Sequence, residues 1–187
     1  MKKIFKLSAL MLAIIITSTT IISAQEKTVM VGGAAMYPSK NIIENALNSK
    51  DHTTLVAAVK AAGLVETLEG TGPFTVFAPT NEAFDKLPAG TVDNLLKPEN
   101  KDKLTAVLTY HVISGKVDSK TLMEWIKKNN GTYTATTVQG GKLMFSMKGK
   151  DIIITDESGD KAKVTIKDVY QSNGVIHVID TVLLPKS

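Results

Sequence analysis

The sequence predicts an α+β domain, with helices in its first half and antiparallel strands in its second half. The spacing of apolar residues is close to 3.6 up to about residue 131 and changes to about two afterwards. One exception is residues 73–79, which are rich in aromatic and β-branched residues, end at Pro79 and predict a buried strand. We therefore expect this early strand to join the sheet that the later strands form.

Residues 1–24 have the pattern of a secretory signal peptide. A lysine-rich start precedes an apolar run, and small residues follow as far as Ala24, where we place the cleavage site. An uncleaved membrane anchor is the alternative, but the apolar run is short for a membrane-spanning helix. The pattern predicts a secreted, periplasmic or cell-surface protein with no transmembrane segment after cleavage. Residues 25–38 are then predicted to form an extended arm, and residues 39–187 the domain.

Without this segment the chain has almost no net charge. The whole chain has 22 Lys plus Arg against 18 Asp plus Glu, and three of those cations precede the cleavage site, which leaves an excess of +1. All the cations are Lys, whereas bidentate recognition of phosphate and guanine favours Arg, so a nucleic-acid partner is not expected. The absence of cysteine excludes disulfides, thiol catalysis and cysteine-based metal sites.

Short helices are expected along the first half of the chain. Helical apolar spacing begins after Ser39, the expected N-cap, and recurs over residues 52–68 with Gly63 at a stop position. Thr80 is expected to cap a further short helix that contains Phe84. Three more helices are predicted, at residues 91–97, 98–112 and 118–131.

The second half is predicted to form antiparallel strands joined by glycine-containing turns. The last strand, residues 175–184, alternates in a way that favours burial of one face more strongly than the other, with His177 a candidate for the solvent face. Like the early strand, it opens on a turn and ends at a proline, Pro185. We expect these two strands to lie together in the central sheet and to join the two halves of the chain.

Three ordered motifs resemble those of the fasciclin-type domain. "TGPFTVFAPTNEAF" (71–84) resembles its first homology box, "LTYHVISGKV" (108–117) its tyrosine–histidine motif, and "NGVIHVIDTVLLP" (173–185) its second box. The resemblance extends over most of the predicted domain and is closest to bacterial secreted single-domain members. It implies a wedge-shaped β-sandwich with several short helices packed along its edge. It also implies a non-catalytic role in extracellular adhesion or matrix association.

The resemblance also implies sites of partner binding. Family members bind proteins around the tyrosine–histidine motif and just before the second box, which makes Tyr110, His111, Asp168 and Val169 the candidate contacts. Only Asp168-Val169 matches the integrin motif of animal members, so integrin recognition is not carried over. The expected partner is an extracellular or envelope protein or polysaccharide. A further set is expected to be structural: Thr80, Asn81, Phe84, Asn173, Gly174, His177 and Asp180.

The sequence predicts neither an enzyme nor a metal or cofactor site. His52, His111 and His177 are the histidines of the chain, and no two have the spacing that places metal ligands on one helix or strand face. No G-x-S-x-G motif is present. For His111 a structural role, with its ring bonded to backbone, is favoured over a partner contact or a proton donor. An alternative function is the export of a small lipophilic ligand, carried in an apolar groove between helices and sheet.

Overall fold

The computed structural model describes residues 27–186, and the predicted signal peptide lies outside them. The strands are β1 (Val29–Val31), β2 (Ala34–Met36), β3 (Phe74–Pro79), β4 (Val112–Ser114), β5 (Thr132–Thr136), β6 (Lys142–Lys148), β7 (Asp151–Thr155), β8 (Lys161–Gln171) and β9 (Gly174–Ile179). The α-helices are α1 (Ile42–Ala46), α2 (Thr53–Ala62), α3 (Val65–Glu69), α4 (Asn81–Asp85), α5 (Thr91–Leu95), α6 (Lys101–Tyr110) and α7 (Ser119–Lys128). Short 3-10 turns precede α2 and α6, at Lys50–His52 and Pro98–Asn100.

One seven-stranded sheet, in the order β4-β3-β9-β8-β7-β6-β5, joins the two halves of the chain. β3 and β9 lie side by side and parallel, from the pair Phe74 and Gly174 to the pair Pro79 and Ile179. The remaining neighbours in this sheet are antiparallel. The predicted α+β class and the predicted pairing of the early and late strands are both confirmed.

The long strand β8 is where this sheet folds over. Its first part pairs with β7 and its second part with β9, and the register with β9 shifts between Val164 and Ile166 and again between Ile166 and Val169. Such irregularities bend a strand and increase its twist. The two halves of the sheet thereby enclose a cluster that includes Phe77, Phe145 and residues of α7. This arrangement is the wedge-shaped sandwich with edge helices that the resemblance implied.

β3 and β9 separate two apolar cores. On β3, Val76 and Ala78 belong to the core formed with the helices, whereas Phe77 belongs to the core inside the sandwich. β9 is buried along its whole length. The expected one-sided burial of this strand is therefore wrong, and His177 is 0% exposed rather than on a solvent face. Helices cover one face of the strand and the folded-over sheet covers the other.

The segment before the first helix is more structured than the predicted extended arm. β1 and β2 form an antiparallel hairpin, and its residues Val31 and Met36 are both 3% exposed within the helical core. The helix that follows is capped by Asn41 and not by Ser39. The Asn41 side chain accepts from the Glu44 backbone N–H, and the Glu44 carboxylate accepts from the Asn41 N–H, which is a complete capping box.

Candidate functional site

Tyr110, the tyrosine of the tyrosine–histidine motif, lies at the end of α6 and points into the sandwich. Its side chain is 0% exposed, and its hydroxyl donates to the Lys142 carbonyl at 2.7 Å and accepts from the Glu157 N–H at 3.1 Å. Burial raises the pKa of this phenol to about 12. Tyr110 therefore connects α6 to β6 and to the turn after β7. The predicted contact between this side chain and a partner is corrected, because the ring is not at the surface.

His111 also lies in the interior and bonds two backbone groups. It is 3% exposed, its Nδ1 lies 2.8 Å from the Val107 carbonyl, and its Nε2 accepts from the Leu183 N–H at 3.0 Å. Burial lowers the pKa of His111 to about 4, although the Val107 carbonyl and Asp156 favour the charged form. The ring is thus neutral and structural, and a direct contact with a partner through this side chain is likewise corrected.

His177 links β9 to β8 and to the loop before α7. Its Nε2 lies 2.9 Å from the Val117 carbonyl, and its Nδ1 accepts from the Asp168 N–H at 3.3 Å. The ring stacks on Phe77, with centroids 5.7 Å apart and an interplanar angle of 20°. Burial is the largest influence on this ring and lowers the pKa of His177. A neutral imidazole therefore fixes the backbone at Asp168.

Asp168 sits at the bend of β8 in a backbone conformation that non-glycine residues seldom adopt, with φ of 60°. Its carboxylate accepts from the Ser119 backbone N–H at 2.6 Å and from the Ser119 hydroxyl. These bonds hold β8 against the first turn of α7. The next residue, Val169, is 1% exposed and belongs to the helical core, so its predicted partner contact is also corrected.

At this bend Lys167 is exposed, and so is the aromatic residue Tyr170. Its side chain is 38% exposed, the Lys116 ammonium lies 5.1 Å from the ring centroid, and its hydroxyl lies 3.4 Å from an Asp118 carboxylate oxygen. Asp118 also caps α7 by accepting from the Thr121 N–H, and this bond is the largest influence that lowers the pKa of Asp118. We call Lys116, Asp118, Asp168 and Tyr170 the Tyr170 corner.

Sequence reasoning named one residue of this corner, Asp168, and missed the other three. The inward side chain of Val169 in an alternating strand was the signal for an outward Tyr170. Lys116 and Asp118 could not have been assigned, since they lie about fifty residues earlier in the chain and reach Tyr170 only through the fold.

Asn173 and Gly174 hold the start of β9. The Asn173 side chain accepts from the Ile42 N–H at 3.1 Å and donates to the Leu68 and Gly70 carbonyls at 2.7 and 2.9 Å. At Gly174 a β-carbon would lie 2.2 Å from the carbonyl oxygen of Phe74, so the parallel pairing with β3 requires glycine there. Both residues thus contact neighbouring segments inside the fold.

The other five residues expected to be structural also make internal contacts. Thr80 caps α4 by accepting from the Ala83 N–H at 3.3 Å, and Phe84 is 8% exposed in the helical core. Asn81 accepts from the Thr54 N–H at 3.0 Å and so caps α2 from another part of the chain. Asp180 accepts from the Lys163 N–H at 2.8 Å. His177 contacts the Val117 carbonyl and the Asp168 N–H.

Residues 27–186 contain no group of three His, Cys, Asp or Glu placed to hold a metal ion. Over that range, too, none of the helices combines the length and apolar character that crossing a bilayer requires.

A folded seven-stranded sheet, a parallel β3–β9 pair and a buried tyrosine–histidine motif define the class of small α+β domains with a fasciclin-type fold. Residues 50–185 match the Fasciclin domain family, which is more than half of the chain. The chain belongs to that family.

Three similar proteins illustrate this relationship. "Protein sll1483" of Synechocystis sp. is 49% identical over 164 residues, covering 86% of this chain and 82% of the relative. "Cell surface glycolipoprotein MPB83" of Mycobacterium bovis is 36% identical over 160 residues, covering 83% of this chain and 64% of the relative. Among solved structures, a FAS1 domain pair from the insect cell adhesion molecule Fasciclin I superposes with a TM-score of 0.69 at 19% identity, over 79% of this chain and 52% of that one. Because its sequence identity is only 19%, this solved structure supports the fold and no statement about function.

Proposed function

We propose that this protein is a non-catalytic interaction module of the cell surface or extracellular space that binds a partner through the Tyr170 corner. One observation carries the proposal: an aromatic ring that is 38% exposed stands between a cation and a carboxylate on a rigid base. The proposal includes export through the signal peptide predicted at residues 1–24. The name of one similar protein, a cell surface glycolipoprotein, supports that location.

The base of the corner is rigid because buried groups fix it from below. His177 accepts from the Asp168 N–H, and the Asp168 carboxylate binds the backbone and hydroxyl of Ser119. Tyr170 and Asp118 extend from this frame toward solvent. A surface that needs little ordering on association loses less conformational entropy when it binds.

The chemistry of the corner favours a protein partner. Tyrosine is enriched in the energetically important centres of protein interfaces, because it combines a large apolar ring with a polar end. Lys116 and Asp118 flank the ring with opposite charges, which can orient a partner that carries the complementary pair. A polysaccharide that stacks on the ring is the other occupant, and the experiment below distinguishes the two.

The test compares two tyrosines in the same kind of setting. Tyr37 is 40% exposed and also has a lysine ammonium, that of Lys40, 5.1 Å from its ring centroid. Binding of the purified protein to an envelope fraction of its own host is measured for the wild type, Tyr170→Ala and Tyr37→Ala. We expect Tyr170→Ala to weaken binding by about tenfold or more, as for a central interface residue, and Tyr37→Ala to leave it within about twofold.

Treatment of the envelope fraction with protease or with glycosidases identifies the partner. A protein partner predicts that protease removes the Tyr170-dependent binding, whereas loss after glycosidase treatment alone assigns a polysaccharide. Equal binding by the wild type and a folded Tyr170→Ala variant would contradict the proposed surface.

A further inference from the structure

The outer face of strands β6, β7 and β8 carries a group of lysines. Residues that alternate with it along the strands, such as Phe145 and Ile152, point into the core of the sandwich. On the outer face, Lys148 of β6 is paired with Asp151 of β7. The Lys163 ammonium of β8 lies 2.6 Å from the Asp151 carboxylate. Asp151 therefore lies between lysines of the two neighbouring strands.

Two further lysines come from irregular points of the same strands. Lys150 lies in the turn between β6 and β7, and Lys167 lies where the register of β8 with β9 shifts. Both line an open depression of about 100 Å³. Its other lining residues are Asp151, Ile152, Val164 and Thr165. We call Lys148, Lys150, Asp151, Lys163 and Lys167 the lysine cluster.

The lysine cluster has positive charge that its own carboxylate does not balance. Its four lysines are exposed, and with one carboxylate they give a charge of +3, whereas the expected mature chain has +1 in all. Within residues 27–186, Lys163 is the one lysine of the cluster in an ion pair. Three ammonium groups can therefore bind an anionic ligand without first breaking a contact with a carboxylate of the protein.

The other end of the same sheet face does not belong to the cluster, because acidic residues lie there. Lys142 and Lys161 are next to the turn after β7, in which Glu157 and Asp160 are exposed. The Glu157 carboxylate accepts from the Lys142 backbone N–H at 3.3 Å. The uncompensated positive charge is therefore concentrated at the end of the face near the β6–β7 turn.

The side chains of the depression favour a carboxylated sugar. Lys150 and Lys167 can donate to a carboxylate, while Asp151 and Thr165 have oxygens that accept from hydroxyl groups. Protein interfaces are instead enriched in aromatic residues and Arg and depleted in Lys, and nucleic-acid bases stack on aromatic rings. None of the described residues that line the depression is aromatic or Arg.

The size of the depression limits what enters it. An engineered apolar cavity of about 150 Å³ holds benzene, so a space of about 100 Å³ accepts a carboxylate and the atoms next to it and not a whole ring. The rest of the sugar would lie on the open outer face of the sheet.

We propose that the lysine cluster binds an acidic polysaccharide, with the carboxylate of one uronic acid in the depression between Lys150 and Lys167. Carboxylates of neighbouring units of the chain would interact with Lys148 and Lys163. The cluster shares no residue with the Tyr170 corner. Tyr170→Ala should therefore bind the polysaccharide as the wild type does, so the two proposed surfaces can fail separately.

Binding of the purified protein to polygalacturonate and to uncharged dextran tests the proposal. We expect binding to polygalacturonate alone, and we expect added salt to weaken it. Lys150→Gln/Lys167→Gln should weaken it by about five- to thirtyfold, the effect of two exposed ion pairs. The charge-matched control is Lys101→Gln/Lys103→Gln on α6, where both lysines are also exposed, and it should stay within about twofold of the wild type.

Asp151→Asn should strengthen binding by about two- to fivefold, because it removes the negative charge of the cluster, and a folding defect would not produce a gain. Poly-L-glutamate supplies carboxylates without sugar hydroxyls and should bind about fivefold more weakly or less. Absence of binding to polygalacturonate, or equal losses in the two double variants, overturns the proposal. Equal binding of poly-L-glutamate overturns the assignment to a sugar.

Discussion

Each of two buried histidines bonds one donor and one acceptor of the backbone, which fixes the position of its proton. At His111 the Leu183 N–H occupies Nε2 and the Val107 carbonyl faces Nδ1, so the proton must be on Nδ1. At His177 the Asp168 N–H occupies Nδ1 and the Val117 carbonyl faces Nε2, so the proton must be on Nε2. The two rings are held in opposite neutral tautomers.

Nitrogen-15 chemical shifts of the imidazoles test this assignment at pH 7. We expect a protonated Nδ1 at His111 and a protonated Nε2 at His177, since the reverse would place two N–H groups against each other. The same tautomer at both rings, or averaged shifts typical of an exposed ring, would show that the interior contacts are not as described.

The same burial makes folding stability depend on pH. The pKa of His111 is lowered to about 4 in the folded protein, while an unfolded histidine has a pKa of about 6.5. The unfolded state therefore takes up a proton between these values and the folded state does not, so stability is lost as the pH falls from about 6.5 to 4. The shift corresponds to about 3 kcal/mol for this group. His52 and His177, whose pKa values are also lowered, act in the same direction.

Urea unfolding at pH 7.5, 5.5 and 4.5 measures this loss. We expect the free energy of unfolding to fall by several kcal/mol over the series, with proton uptake on unfolding at pH 5. A stability that stays constant between pH 7.5 and 4.5 would mean that the three rings titrate normally in the folded protein.

For single residues, the sequence predicted the chemical role of a side chain better than its position in the fold. It favoured a structural His111, because a lone histidine in an apolar context usually finds backbone partners. The family resemblance implied a partner surface at Tyr110. The groups that bind its hydroxyl, at Lys142 and Glu157, follow it by 32 and 47 residues. Contacts at such separations leave no local pattern.

At the scale of elements, helix ends were largely predictable and their partners from distant segments were not. Gly63 ends α2 in the left-handed conformation with φ of 72°, and Thr80 caps α4, both as predicted. The cap of α1 was assigned to Ser39 although residues 41–44 carry the Asn-x-x-Glu form of a capping box. For α2 the cap comes from Asn81, which no local signal could reveal.

Asn173 shows how much one distant side chain can contribute between elements. The variant Asn173→Ala leaves the Ile42 N–H and the Leu68 and Gly70 carbonyls without this partner. We expect a loss of about 3 kcal/mol in the free energy of unfolding, measured by urea denaturation, because these groups lie in or beside the core.

Asn48→Ala is the matched control, since Asn48 is exposed and its side chain donates to the Glu44 carbonyl of the preceding helix, α1, at 2.8 Å. We expect this change to cost less than about 1 kcal/mol. Equal effects of the two substitutions would show that Asn173 does not tie the helices to β9.

For the molecule as a whole, the long-range pairing of β3 with β9 was the most informative prediction from the sequence. Matching turn and proline signals at both strands indicated a shared sheet. The fold of that sheet at β8 was not predictable, because register shifts near Ile166 depend on which strands pair on each side. That fold buries the second face of β9 and with it His177. It also brings Lys116 and Asp118 beside Tyr170.

The central claim is that Tyr110 is a buried structural residue, whereas Tyr170 binds the partner. Nitration of tyrosines, read by mass spectrometry with and without bound envelope fraction, tests it most directly. In the free protein we expect reaction at the exposed Tyr37 and Tyr170 and none at Tyr110. In the complex we expect protection of Tyr170 alone, with Tyr37 still reactive. Reaction at Tyr110 in the folded protein, or equal reactivity of Tyr170 in the free and bound states, would contradict the account.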